Sequence, residues 1–189
     1  MRTPSTVRSS PQPSLLTPAV FLDRDGTIMR DVEYCGDPKK VEVFADAPEA
    51  LRRLKGAGFK IIIITNQSGI GRGYFSAADY RAVEREVERQ IGPGLIDGIY
   101  FCADLPDNGS MRRKPEAGMV REAQVDHRID LARSFFVGDK AIDAECGRRA
   151  GTRTILVQTG IEKPPASEAA DWRVSNLLEA SGIILRHGL

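Results

Sequence analysis

The string Asp23-Arg24-Asp25-Gly26-Thr27 sets two carboxylates one residue apart, ahead of a Gly-Thr pair. A sharp turn there can aim one acid at a ligand and bend the other back toward it. An ionised Asp23 can attack phosphorus, splitting one hard displacement into two easier ones. Asp25 can protonate the departing alkoxide and later take a proton from the hydrolytic water. The same residues also suit an Asx-turn, where Asp and Gly recur for purely local reasons. Thr65-Asn66-Gln67-Ser68-Gly69 offers a hydroxyl, amides and backbone N–H groups in a Gly-containing turn, a concavity suited to an anion. Gly69, Gly71 and Gly73 surround Arg72, which places a flexible cationic loop near the same edge. Arg112-Arg113-Lys114-Pro115 supplies fixed cations. A carboxylate approaching a phosphate dianion needs one, because like charges ~4 Å apart repel by several kcal/mol at low effective dielectric. Lys acts as a point charge and Arg as a bidentate fork, and Pro115 can place Lys114 at a helix start. Val137-Gly138-Asp139-Lys140 adds an acid that could share a cation with Asp23; magnesium needs only one or two carboxylates beside phosphate and water. Asp143 suits two positions equally, support behind the metal or a first-turn acid favoured by the helix dipole.

These residues matter only if the fold gathers them. Residues 19–23 (AVFLD) form a short apolar run ending in an acid, and residues 59–65 (FKIIIIT) a β-branched run without alternation, as in a strand buried on both faces. Residues 98–102, 134–139, 152–158 and 172–174 read as further strands. Between them the spacing predicts helices over 48–58, with Pro48 in the first turn and Gly58 as the stop, and over 76–90, with Ser76 as N-cap. Helices are also predicted over 115–125, over 141–150 closed by Gly151, and from Asn176 onward. Strands alternating with helices mean a parallel sheet covered on both faces, an α/β three-layer sandwich. Ligands in such sheets bind beyond the carboxyl ends of the strands, at a topological switch point. Asp23, Thr65, Cys102 and Asp139 stand at those ends.

The composition narrows the partners. The 189 residues suit one domain. Lys and Arg total 27 against 26 Asp and Glu, a net charge of +1 that gives no general grip on nucleic acid or anionic membrane. Aromatics make up 6%, few for base stacking. Three dispersed cysteines, Cys35, Cys102 and Cys146, fit a reducing compartment, and the longest apolar run, 61–64, is far short of a membrane span. Residues 1–18, rich in Pro and Ser and without acids, read as a flexible arm before a domain over 19–189; Lys163-Pro164-Pro165 marks a linker within it. The expected location is the cytoplasm, and the expected state a monomer or weak homodimer.

In chain order, DRDGT, IIIITN, RKP and VGDK resemble the motif series of the haloacid dehalogenase (HAD) superfamily of phosphohydrolases, across residues 19–160. The longer strings FLDRDGTI, TNQSGIGRGYF, RRKPEAGM and FFVGDKAIDAE are similar to the D-glycero-D-manno-heptose 1,7-bisphosphate phosphatases, close to the histidinol-phosphate phosphatases. The resemblance implies a HAD-like Rossmannoid fold and a phosphoric monoester hydrolase. It implies Asp23 as nucleophile, Asp25 as general acid/base and Lys114 as the neutralising cation, with Thr65 and Asn66 holding the transferring phosphoryl group. Magnesium would be held by Asp23, Asp139 and the backbone carbonyl of Asp25. Asp31 to Tyr34, Gln67, Ser68, Arg113 and Lys140 would surround a small phosphorylated sugar.

Keeping an acid at Asp25 favours phosphate-ester hydrolysis over dehalogenation, since halide leaves without a proton. The best single substrate is the heptose bisphosphate, cleaved at its C7 phosphate. Histidinol phosphate or a broad range of hexose phosphates is the alternative, and a nucleic-acid 3′-phosphatase lies further off. The family's zinc loop is reduced here to Cys102-Ala103-Asp104, with no further cysteine between Cys102 and Lys114, so no structural zinc is expected. The gaps between motifs are too short for a cap domain, which leaves residues 31–36, 67–75 and 104–113 to shape the site.

Overall fold

The protein is described by a computed structural model over residues 16–161 and 170–188; the linker at Lys163 and the arm before residue 16 lie outside them. Six strands, β1 (Ala19–Leu22), β2 (Lys60–Asn66), β3 (Gly98–Cys102), β4 (Phe135–Gly138), β5 (Arg153–Val157) and β6 (Trp172–Val174), form one sheet in the order β3-β2-β1-β4-β5-β6. Every pairing is parallel.

The isoleucine run shows why the sheet is central. Ile61 and Ile63 enter one apolar cluster while Ile62 and Ile64 enter the other, on the opposite face, and none is more than 1% exposed. Period-two geometry sends alternate side chains to opposite faces, so a strand covered on both sides must be apolar throughout. Each buried isoleucine contributes about 1.5–3 kcal/mol. Helices α1 (Ala47–Gly56), α3 (Ala77–Ile91) and α6 (Leu177–His187) supply the cover on one face; α4 (Gly118–His127) and α5 (Ala141–Ala150) supply it on the other. The result is a three-layer α/β sandwich. Among the described residues, the stretches between strands hold only these helices, short 3-10 turns and one further turn of helix, α2 (Ser68–Gly71), with no inserted domain.

Some boundaries differ from the sequence reading. Thr17 N donates to Arg128 O at 3.1 Å and Pro18 O accepts from Lys60 N at 2.9 Å, so the chain is tied to the domain ahead of residue 19. The helix expected from Pro115 begins at Gly118. Residues 113–117 form a turn instead, closed by Glu116 N to Arg113 O at 2.8 Å and Gly118 N to Met111 O at 2.9 Å. The motif at residue 68 adds α2, where a flexible loop was expected. The order of strands reverses between β1 and β4, so the crevice beyond their carboxyl ends is the place for a ligand.

Candidate active site

Asp23 follows β1 directly and its N–H donates to Val137 O at 3.0 Å, which extends the β1–β4 pairing by one step. Asp139 follows β4 in the same way. The two acids, with Asp143 from the first turn of α5, place carboxylate oxygens within 4.8 Å of one another, all three residues buried. Both oxygens of Asp139 are buried without a hydrogen-bond partner. A buried, unpaired carboxylate is costly in isolation, and a cation shared with Asp23 answers that cost. The residues therefore fit magnesium, a hard cation that takes oxygen ligands. Glycine makes the space: a Cβ at Gly26 (φ +87) or at Gly160 would lie 2.4 and 2.1 Å from Asp139 Oδ2. Burial, then the charges of Asp23 and Asp143, push the Asp139 carboxyl up to about 8.

Lys114 closes the cluster from the other side. Its Nζ donates to Asp23 Oδ1 at 2.6 Å and to Ile64 O at 3.0 Å, and lies 2.7 Å from Asp143 Oδ1. Burial lowers its pKa, but the Asp143 and Asp23 charges outweigh burial and hold the ammonium above its ordinary range. Burial raises the Asp23 carboxyl, and Lys114 pulls it back. Lys114 is not set by a helix start, as the sequence suggested. Asn66 holds it: Asn66 Oδ1 accepts from Lys114 N at 3.0 Å and Asn66 Nδ2 donates to Lys114 O at 3.1 Å. Both polar atoms of the Asn66 side chain are thus engaged with backbone.

Asp143 combines a helix-capping contact with a place in the acid cluster. Its Oδ2 accepts from Lys140 N at 2.9 Å, which caps α5, while Oδ1 faces Lys114 and the acid cluster. The carboxylate of Asp25 stands apart from that cluster, gripped by Arg24 and by Gln67, whose Nε2 donates to Asp25 Oδ2 and to Thr65 Oγ1, each at 2.9 Å.

A narrow recess of about 60 Å³ is lined by Asp23, Asp25, Thr65, Asn66, Lys114, Lys140, Ile142 and Asp143. Through Asp25, Asn66, Lys140 and Ile142 it adjoins a cavity of about 320 Å³, whose lining also includes Asp31, Tyr34, Gln67, Ser68 and Arg113. Most of the residues expected from the sequence line one or both spaces, whereas Val32, Arg72, Cys102 and Arg112 line neither and Asp139 lies in the acid cluster. Lys140 Nζ donates to Asp31 Oδ2 at 2.9 Å across the mouth. Arg113 Nη1 donates to Asp104 O at 2.8 Å, anchoring the loop that follows β3. In that loop the Cys102 thiol donates to Asp104 Oδ2 at 3.4 Å. Phe75 is wedged where a Cβ at Gly36 or at Gly69 would come within 2.5 and 2.2 Å of it, and Tyr34 meets Tyr74 edge-on at 4.9 Å. Arg24 and Ile142 were given no role from the sequence; nothing in their types or spacing marks them.

Comparison with known proteins gives consistent findings. A HAD-hydrolase-like family model matches residues 111–180. The chain is 42% identical over 135 residues, 70% of its length and 84% of the relative's, to a probable D-glycero-D-manno-heptose-1,7-bisphosphate 7-phosphatase of Thermoplasma acidophilum. It is 37% identical to the D-glycero-beta-D-manno-heptose-1,7-bisphosphate 7-phosphatase of Escherichia coli K12, covering 86% of this chain and 91% of that one. Among solved structures, the D,D-heptose 1,7-bisphosphate phosphatase of B. bronchiseptica, complexed with magnesium and phosphate, superposes with a TM-score of 0.81 at 29% identity, over 89% of this chain and 98% of that one.

Proposed function

The chain belongs to the haloacid dehalogenase-like hydrolases and hydrolyses phosphoric monoesters, and we propose that it does so on a small phosphorylated sugar, through an aspartyl-phosphate on Asp23 and with magnesium. The chain that follows the N-terminal arm, Thr17 and Pro18 included, acts as one capless phosphatase domain. The observation that carries this reading is the contact of Lys114 Nζ with Asp23 Oδ1 at 2.6 Å, inside a recess that also takes in Asp25 and Thr65.

A phosphate monoester enters with its phosphoryl group in the recess. Lys114 offsets the like-charge repulsion that would keep the dianion from Asp23. Thr65 Oγ1 and the backbone N–H groups after β2 are available as donors to the phosphoryl oxygens. One oxygen of Asp23 attacks phosphorus, and Asp25 gives its proton to the departing sugar oxygen as the P–O bond breaks. Asp25, now a carboxylate, takes a proton from the water that attacks the phosphoaspartate. Inorganic phosphate leaves and Asp23 is regenerated. Asp23, Asp139 and the Asp25 carbonyl would hold magnesium, which would supply positive charge to offset that of the phosphoryl group. Asp143 adds negative charge beside that set and orients Lys114.

Heptose 1,7-bisphosphate, cleaved at C7, is the substrate the relatives favour. Arg113 and Lys140 on the wall of the larger cavity provide cations for the phosphate that stays behind. The test is phosphate release from sugar mono- and bisphosphates and from histidinol phosphate, with magnesium, using Asp23→Asn as the blank. Loss of turnover with retained fold is expected, because the amide is close in shape but a poor nucleophile. Wild-type rates in Asp23→Asn would end the proposal.

A further inference from the structure

Arg24 is 1% exposed and takes no part in the acid cluster. Its Nε donates to Asp25 Oδ2 at 3.2 Å, and its Nη2 donates to Oδ1 at 3.1 Å and to Oδ2 at 3.0 Å. Behind it, the guanidinium carbon lies 5.4 Å from the centre of the Tyr80 ring, and the Tyr80 hydroxyl donates to Glu84 Oε1. The guanidinium is therefore held between an aromatic face and the carboxylate of Asp25. A buried guanidinium needs such partners, and its planar fork fixes the plane of the carboxylate it binds, which a point charge cannot do.

The two oxygens of Asp25 are unequally engaged. Oδ2 accepts from Arg24 Nε, Arg24 Nη2 and Gln67 Nε2, whereas the hydrogen bond to Oδ1 comes from Arg24 Nη2. Oδ1 thus keeps a lone pair on which a proton can sit. We infer that Arg24 is a positioning residue that fixes the Asp25 carboxyl so that Oδ1 carries the proton delivered to the leaving group. The inference rests on the role proposed for Asp25. In the step concerned, the Oδ1–H bond breaks, the proton joins the departing oxygen as the P–O bond breaks, and Asp25 is left as a carboxylate within the Arg24 fork. Such positioning matters in proportion to how much the leaving group needs a proton. A sugar alkoxide needs one badly; a nitrophenolate hardly does.

The experiment compares Arg24→Lys, Asp25→Asn and wild type on a hexose 6-phosphate and on p-nitrophenyl phosphate, at saturating magnesium. Arg24→Lys keeps the buried charge and removes the fork. Its kcat is expected to fall at least tenfold more on the hexose phosphate than on the aryl phosphate, with KM for each within about threefold of wild type, the upper bound for this selectivity being the 10²–10⁴ contribution of a general acid. An equal fall on both substrates, or no fall, overturns the inference. If Asp25→Asn itself shows no such preference, the failure lies with the role of Asp25 instead. Should Arg24→Lys not fold, Arg24→Met combined with Asp25→Asn removes both charges of the pair. A residue acting only through Asp25 then adds nothing, so the double variant must match Asp25→Asn on both substrates. A further tenfold fall in the double variant counts against positioning.

Discussion

Lys114 is where burial and charge oppose each other most directly, at 3% exposure among three buried acids. The ammonium and a divalent cation compete for the same carboxylates. Lys114→Met is therefore expected to bind magnesium more tightly in calorimetric titration while turnover drops by roughly 10²–10³, the scale of losing one preorganised charge at a reacting phosphoryl group. Magnesium binding that weakens in this variant would contradict the competition. Gly160→Ala probes the opposite wall. Its Cβ would press on Asp139 Oδ2, so magnesium affinity should fall at least tenfold, while phosphate-ester hydrolysis recovers in part at high magnesium; unchanged affinity would show that Asp139 is not a ligand of the metal. Asp23 and Asp139 were legible in the sequence because both follow apolar strands that must lie in the sheet. The tasks of Arg24 and Asn66 were not. Arg24 was given no role, and Asn66 was expected beside the phosphoryl group with no hint that its side chain also clasps the Lys114 backbone, because side-chain direction is settled by tertiary packing rather than by order in the chain.

Helix α3 carries Tyr80 and Glu84 to the back of Arg24, so its register matters to Asp25. Ser76 caps it reciprocally: Ser76 Oγ accepts from Asp79 N at 3.2 Å, and Asp79 Oδ2 accepts from Ser76 N at 2.8 Å. Ser76→Ala should lower stability by about 1 kcal/mol in urea titration, with hydrolysis of an aryl phosphate unchanged. A loss beyond about 2 kcal/mol would mean the cap does more than close the helix. Punctuation explains which elements could be read in advance. Gly151, at φ +84, ends α5 where a left-handed residue is needed, and Asn176 accepts from Glu179 N at 2.9 Å to open α6. Pro115 misled for the same reason. Proline suits a first helical turn, but here it lies in a turn that folds back on Met111, a loop closure seven residues wide that single-residue propensity does not register.

At the scale of the whole molecule, the acid cluster links function to stability. Burial and the neighbouring acids raise Asp139 to about 8, well above the usual carboxylate range, and burial raises Asp23 as well. Between those limits the metal-free folded protein holds protons that the unfolded chain has released. The unfolded state then binds fewer protons, so stability falls as pH rises from about 4 to about 8. Bound magnesium takes over the carboxylates and displaces those protons, so the gain in melting temperature from magnesium should be larger at pH 8 than at pH 5. Thermal melts in EDTA and in excess magnesium at both pH values decide the matter; a larger gain at pH 5 would invert the linkage. The wedge made by Phe75 has a practical consequence of another kind. Residues 31–36 and 67–75 share a single aromatic peg, so their shapes are inherited together. Anyone redesigning this enzyme for a new sugar would have to transplant both segments as a matched set, since exchanging either alone leaves the peg without its socket.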